Sequence, residues 1–156
     1  MNAQYDLVCN MHALGETDDL NLTSLAGSSN AGWNTMVSGF MSGSTVVETL
    51  SVKTQRLDQY LDSREIRSVD FIKIDVEGFE FPVLRGSQGF FEKTTKKPPI
   101  ICEVAPGAYS RLGCSLRDLN TFLERYGYRS YDPVSRKLID VTTLSGTTDV
   151  LFLSPR

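Results

Sequence analysis

The run Val69-Asp70-Phe71-Ile72-Lys73-Ile74-Asp75-Val76 decides the reading of this chain. It is a nearly continuous apolar stretch of strand length with Lys73 and Asp75 inside it. Such a pattern suits a strand buried on both faces of a parallel sheet. Glu77-Gly78 follow at its carboxyl end. The spacing then predicts a helix over 80–92, with Phe81, Val83, Leu84 and Phe90 or Phe91 as its apolar stripe and Pro82 in its first turn. After Pro98-Pro99, residues 100–104 (IICEV) read as a second buried strand, ended by Pro106-Gly107. Ser115 is the expected N-cap of a helix over 116–126, with Gly127 past its end. Residues 128–132 and 137–141 bracket a turn at Pro133, and 149–153 (DVLFL) form a last apolar strand. Strand, helix, strand, helix, strand, strand predicts an α/β fold. Its sheet is expected to be mostly parallel, with an antiparallel C-terminal strand pair.

Upstream the signals are weaker. Residues 5–14 (YDLVCNMHAL) alternate like a strand and stop at Gly15. Residues 16–19 form an acidic turn, and Leu20 and Leu22 flank Asn21 in a short strand. Residues 26–44 are rich in Gly, Ser and Asn and carry the single tryptophan, Trp33, expected as a packing anchor. This stretch reads as a long mobile loop. Residues 45–55 are β-branched and alternate, which predicts a strand, and 57–61 predict a short helix. One domain over 1–156 accounts for these elements.

The 156 residues are 40% hydrophobic and 10% aromatic, enough for a core rather than a disordered chain. Lys plus Arg number 16 against 19 Asp plus Glu, a net charge of -3. No basic run offsets it, which argues against binding nucleic acid through its phosphates. No apolar stretch has the length of a membrane span, and no secretory signal pattern is present. The three cysteines, Cys9, Cys102 and Cys114, include no Cys-x-x-Cys pair. This fits a reducing, cytoplasmic setting. His12 is the only histidine, so neither a His/Cys zinc site nor a His-based triad is expected.

Ligands of open α/β sheets bind outside the carboxyl ends of the strands. Asp75 and Glu77 lie at that end of one predicted strand and Glu103 at that end of the next, so three carboxylates are expected on one edge. Lys73 shares a side with Asp75 by the two-residue period of a strand and would pair with the acids. Gly78 permits a tight turn. Glu80, near a helix N-terminus, is favourable for dipole reasons alone.

The block Lys73-Ile74-Asp75-Val76-Glu77-Gly78-Phe79-Glu80, then Val83-Leu84-Arg85-Gly86, then Ile100-Ile101-Cys102-Glu103, resembles the FkbM family of S-adenosylmethionine-dependent methyltransferases. Upstream, residues 52–61 with Arg56-Leu57-Asp58, and the Ala13-Leu14-Gly15 turn, are similar to further family segments. The resemblance implies methyl transfer from S-adenosylmethionine to a hydroxyl of a small molecule or sugar. Candidate catalytic groups are Asp75, Glu77, Glu103 and Lys73. Ala13, Leu14 and Asp75 would contact the cofactor, Asn34 and Tyr109 the substrate, and no metal is implied. The family's glycine-rich cofactor turn has no counterpart here. The chain therefore reads as the C-terminal two-thirds of a Rossmann-like class I methyltransferase, a truncated form of that fold. The 69–76 strand would then lie at a sheet edge, to be covered by the 5–14 strand or by a strand of another chain through self-association. Two rival readings accompany this one. The first is a methyltransferase-like fragment without catalysis. The second is a phosphoester hydrolase holding a divalent ion on Asp75, Glu77 and Glu103.

Overall fold

The computed structural model describes residues 6–18, 20–26, 34–40 and 46–154. Trp33, Tyr5 and most of the predicted 26–44 loop lie outside the described residues.

Two four-stranded sheets carry the chain. The first contains β1 (Ala13–Leu14), β2 (Leu20–Ala26), β3 (Asn34–Thr35) and β4 (Val46–Gln55), in the order β1-β4-β2-β3. β2 and β4 pair antiparallel from Leu20↔Lys53 to Ala26↔Val46, with an irregularity between Leu25 and Ala26. β1 adds parallel to β4 through Ala13↔Thr54 and Leu14↔Gln55. Helix α1 (Leu57–Ser63) then leads to the second sheet.

That sheet contains β5 (Ile72–Ile74), β6 (Ile100–Val104), β7 (Arg129–Tyr131) and β8 (Thr148–Leu153), in the order β5-β6-β8-β7. β5 and β6 are parallel, joined by a crossover through α2 (Glu80–Arg85) and α3 (Gln88–Lys93). β8 runs antiparallel to both its neighbours. Three strands thus point one way, with a reversed strand inserted between β6 and β7. The expected antiparallel C-terminal pair is present as β7 and β8. The expected mostly parallel sheet is not, since a single neighbouring pair in each sheet is parallel. The reason lies in the connections. A parallel neighbour needs a long crossover, usually helical. Between β7 and β8 there is only a turn at Asp132, whose carboxylate accepts from the N–H groups of Val134 and Ser135, and a single 3₁₀ turn at Val141–Thr143.

Several predicted elements are shorter than expected. The 69–76 strand shrinks to Ile72–Ile74. Its partner is preceded by Pro98-Pro99, whose missing N–H groups stop the ladder, although the Pro99 carbonyl still takes the Ile72 N–H at 3.0 Å. Among the described residues β5 has a strand on one side only. Phe71 is 51% exposed, so the run is an edge rather than a strand buried on both faces. Only Ala13 and Leu14 of the 5–14 run find a ladder, while Leu7, Val8 and Met11 are exposed. The 80–92 helix breaks at Gly86-Ser87. There the Ser87 hydroxyl donates back to the Val83 carbonyl at 2.8 Å, a bond that bends helices. The Gly86 carbonyl instead accepts the Asp58 N–H.

The remaining helices are α4 (Pro106–Tyr109) and α5 (Leu116–Arg125). Ser115 caps α5 as expected, in a reciprocal box with Asp118. Gly127 follows at φ 82°. The core lies between the second sheet and its helices, around Leu84, Ile100, Cys102, Leu119, Leu123 and Phe152. Phe91 is its aromatic centre, with ring centroids of Tyr126 at 5.4 Å, Tyr128 at 5.8 Å and Phe122 at 6.3 Å. Among the described residues no helix is long and apolar enough to cross a membrane.

The two sheets meet where β1 ends. Arg85 pairs with Glu16 at 2.8 Å, and Asp58, buried, takes the Arg56 guanidinium and the Gly89 N–H. A Cβ on Gly86 would lie 1.8 Å from the Gly15 carbonyl oxygen. Gly86→Ala is therefore expected to lower unfolding stability by about 1–3 kcal/mol, as overpacking does. Gly146→Ala, whose Cβ meets nothing within 4 Å, is the control and should change it by less than about 0.5 kcal/mol. Urea titration of the two variants checks this.

Candidate functional site at the carboxyl ends of β5 and β6

Strand alternation sets the site. On β6, Ile100, Cys102 and Val104 face the core, which leaves Ile101 and Glu103 on the other face. On β5, Lys73 faces out beside Asp75. β8 then brings in Asp149 as the direct cross-strand partner of Glu103. The Lys73 ammonium bridges Asp75 at 3.1 Å and Asp149 at 3.2 Å. Asp75, Glu77 and Glu103 each place a carboxylate oxygen so that all three atoms lie within 4.8 Å of one another. The predicted convergence of these acids is therefore present, with Lys73 supplying positive charge among them.

A left-handed turn brings Glu77 into the group. Glu77 has φ 50° and Gly78 φ 97°. For a residue with a side chain this region costs on the order of 1 kcal/mol. Gly78 is required twice over, because a Cβ there would also lie 2.5 Å from the Ala108 Cβ. The turn is held from two directions. The buried Thr35 hydroxyl, on β3 of the other sheet, donates to the Glu77 carbonyl at 2.6 Å. The Glu80 carboxylate accepts the Gly78 N–H at 2.8 Å and the Val76 N–H at 3.4 Å.

Crowding shapes the electrostatics. Burial and then Asp75 push the Glu77 carboxyl up. Burial, Asp75, Glu77 and Asp149 push Glu103 up against the opposing pull of Lys73. Burial pulls the Lys73 ammonium down, but its bonds to Asp75 and Asp149 win and hold it above its ordinary value. Glu80 is 0% exposed, and its second oxygen has no hydrogen-bond partner among the described residues. Burial raises it to about 7 despite the N–H groups of Gly78 and Val76.

A cavity of about 650 Å³ opens along the free side of β5. Its walls are mostly apolar, and Ala13, Leu14, Ile72, Phe79 and Leu84 are among them; Lys73 and Asp75 line it as well. Ala13, Leu14 and Asp75, read as cofactor contacts, thus border one space. Glu77 and Glu103 do not line it; Asp75 is common to the cavity and the acid cluster. Asn34 is exposed on β3, next to the Thr35 that grips the turn. Tyr109, read as a substrate contact, lies in the core instead of at the surface of the site. It is 1% exposed on α4, its ring 6.2 Å from Phe81, and burial drives its hydroxyl far above the ordinary tyrosine value. The helix begun at Pro106 turns its side chain inward.

Asp149, Thr35 and the inward role of Glu80 were not foreseen. Asp149 heads the final apolar strand, and antiparallel pairing of that strand with β6 would have pointed to it. Thr35 carries no local signal, since its contact spans 42 positions.

A Methyltransferase FkbM domain model matches residues 5–130. The match spans β1 to β7 and includes Lys73, Asp75, Glu77, Glu80 and Glu103, whereas Asp149 lies beyond it. No curated protein and no solved structure matches.

The raised carboxyls fix a sign for stability against pH. Their folded values lie above the unfolded ones, so folding favours the protonated form. Their contribution is complete below about pH 4.5 and is lost as pH rises through about 7, the Glu80 value. For Glu80 that raise corresponds to roughly 3 kcal/mol. The lowered groups Asp58, Asp118, Asp132 and Asp140 act below their ordinary 3.8 and so outside this window. Thermal melts should show Tm falling between these limits, and Glu80→Gln should remove most of the slope. A flat wild-type profile would contradict this reading.

Proposed function

The chain belongs to the FkbM methyltransferase family, and on that footing we propose that it moves a methyl group from S-adenosylmethionine to a hydroxyl oxygen of a small molecule or sugar. The observation that carries this reading is the Asp75, Glu77 and Glu103 cluster at the carboxyl ends of two parallel strands, with Asp75 shared by an apolar cavity. The cavity walls suit the nucleoside half of the cofactor. A flat purine is matched by Ala13, Leu14 and Phe79, and the acids at the rim complement the positive sulfonium. When bound, the cofactor supplies an electrophilic methyl group.

The chain's own part is to hold the acceptor oxygen and take its proton. Glu103 and Asp75 are the groups placed for this. The upward shift of Glu103 suits a base, because proton transfer is most effective when the base titrates toward working pH. Lys73 holds the Asp75 carboxylate in place through their 3.1 Å ion pair. Asn34, exposed beside the clamped turn, is offered as an acceptor contact, and Tyr109 is not.

Calorimetry with S-adenosylmethionine and S-adenosylhomocysteine tests the reading. Micromolar binding is expected, with Asp75→Asn weakening it about tenfold, or ~1.4 kcal/mol. A folded chain that binds neither ligand would overturn the proposal and favour a family member without a working cofactor site.

A further inference from the structure

The carboxylate of Glu80 stands apart from the acids that face the site. It lies behind them, fully buried, in a molecule whose other site carboxylates keep access to water. As first residue of α2 it would favour the helix dipole from the surface equally well, without being desolvated. Instead it reaches back to the N–H groups of Val76 and Gly78, which flank Glu77. Glu103 and Cys102 of β6 and Tyr109 of α4 interact with it, none of them positive. Among the described residues no Lys or Arg forms an ion pair with this buried acid, so the bonds to the turn are what its position achieves.

We propose that Glu80 is the positioning residue of this site. By taking the N–H groups of Val76 and Gly78, it holds the Glu77–Gly78 turn in its left-handed form and so sets the Glu77 carboxylate beside Asp75 and Glu103. The Thr35 hydroxyl completes the grip by donating to the carbonyl of the same Glu77. One oxygen of Glu80, Oε1, accepts both N–H groups, while the other has no partner among the described residues. A neutral side chain with one carbonyl oxygen can therefore do the same work, whereas a side chain without an acceptor cannot.

This inference deepens the methyl-transfer reading, on which its functional meaning rests, but its test needs no cofactor. Amide exchange at Gly78 and side-chain carboxyl titrations of Glu77 and Glu103 are followed by NMR in the full chain. Wild type, Glu80→Gln and Glu80→Ala are compared. Gly78 exchange should be equally slow in wild type and Glu80→Gln, and at least about tenfold faster in Glu80→Ala. In Glu80→Ala the Glu77 and Glu103 titrations should also fall toward ordinary glutamate values, as the turn relaxes and the carboxylates separate. Should Glu80→Ala not fold, Glu80→Asp takes its place, since its shorter side chain withdraws the acceptor from both N–H groups. A folded variant with wild-type Gly78 exchange and wild-type Glu77 and Glu103 titrations overturns the proposal, as does loss of Gly78 protection in Glu80→Gln. Failure of the chain to bind S-adenosylhomocysteine would count against the methyl-transfer reading alone and leave these readouts intact.

Discussion

The close approach of Gly78 to Ala108 is the constraint from which the rest of the site follows. The main chain at Gly78 packs directly on the Ala108 methyl, and a Cβ on Gly78 would lie 2.5 Å from it. The chain leaving β5 must therefore reverse at once, in the left-handed region, rather than continue the strand. That reversal turns Glu77 back toward Asp75 instead of away along the sheet. It also starts α2 directly over the core, so that Phe81, Val83 and Leu84 are buried within one turn of the site. A site geometry and a core geometry thus share one backbone contact.

The clamp on this reversal draws on both sheets. Thr35 comes from the first sheet, and Glu80 from the crossover of the second. The sheets are also tied at Gly15 and Gly86, and by Arg85 with Glu16. Electrostatics and packing oppose one another at this junction. Burial disfavours the charge on Glu80, Glu77 and Glu103, while backbone N–H groups and Lys73 support it. The balance leaves acids that titrate above their usual range.

Much of this was readable from residue order. Alternation alone put Lys73 and Asp75 on one side, and the parallel pairing of 72–74 with 100–102 followed from two apolar runs joined by a helical stretch. The capping of α5 was written in Ser115, and Asp118 completes it in the structure. What escaped the sequence was set by non-local pairing. A strand's length depends on its neighbour, so Pro98-Pro99 trimmed β5 from outside it. The direction of β8 depends on the connection before it, and with that direction came Asp149. Tyr109 reads as a loop residue next to a strand end, and only the packing of α4 on Phe81 reveals that its ring is buried.

The insertion of β8 between β6 and β7 has a consequence for the order of assembly. This strand fills an interior place in its sheet, yet it follows all the sheet's other strands in sequence. During synthesis β5, β6 and their helices emerge first, and the gap beside β6 stays open until residues 148–153 arrive. Lys73 therefore waits 76 positions for Asp149, and Glu103 lacks its partner on β8 until then. Long-range pairing of this kind is slow and leaves strand edges exposed in the meantime. The full charge pattern of the site is thus a late event in folding, and a ribosome-bound chain lacking the final strand holds Lys73 with a single acidic partner.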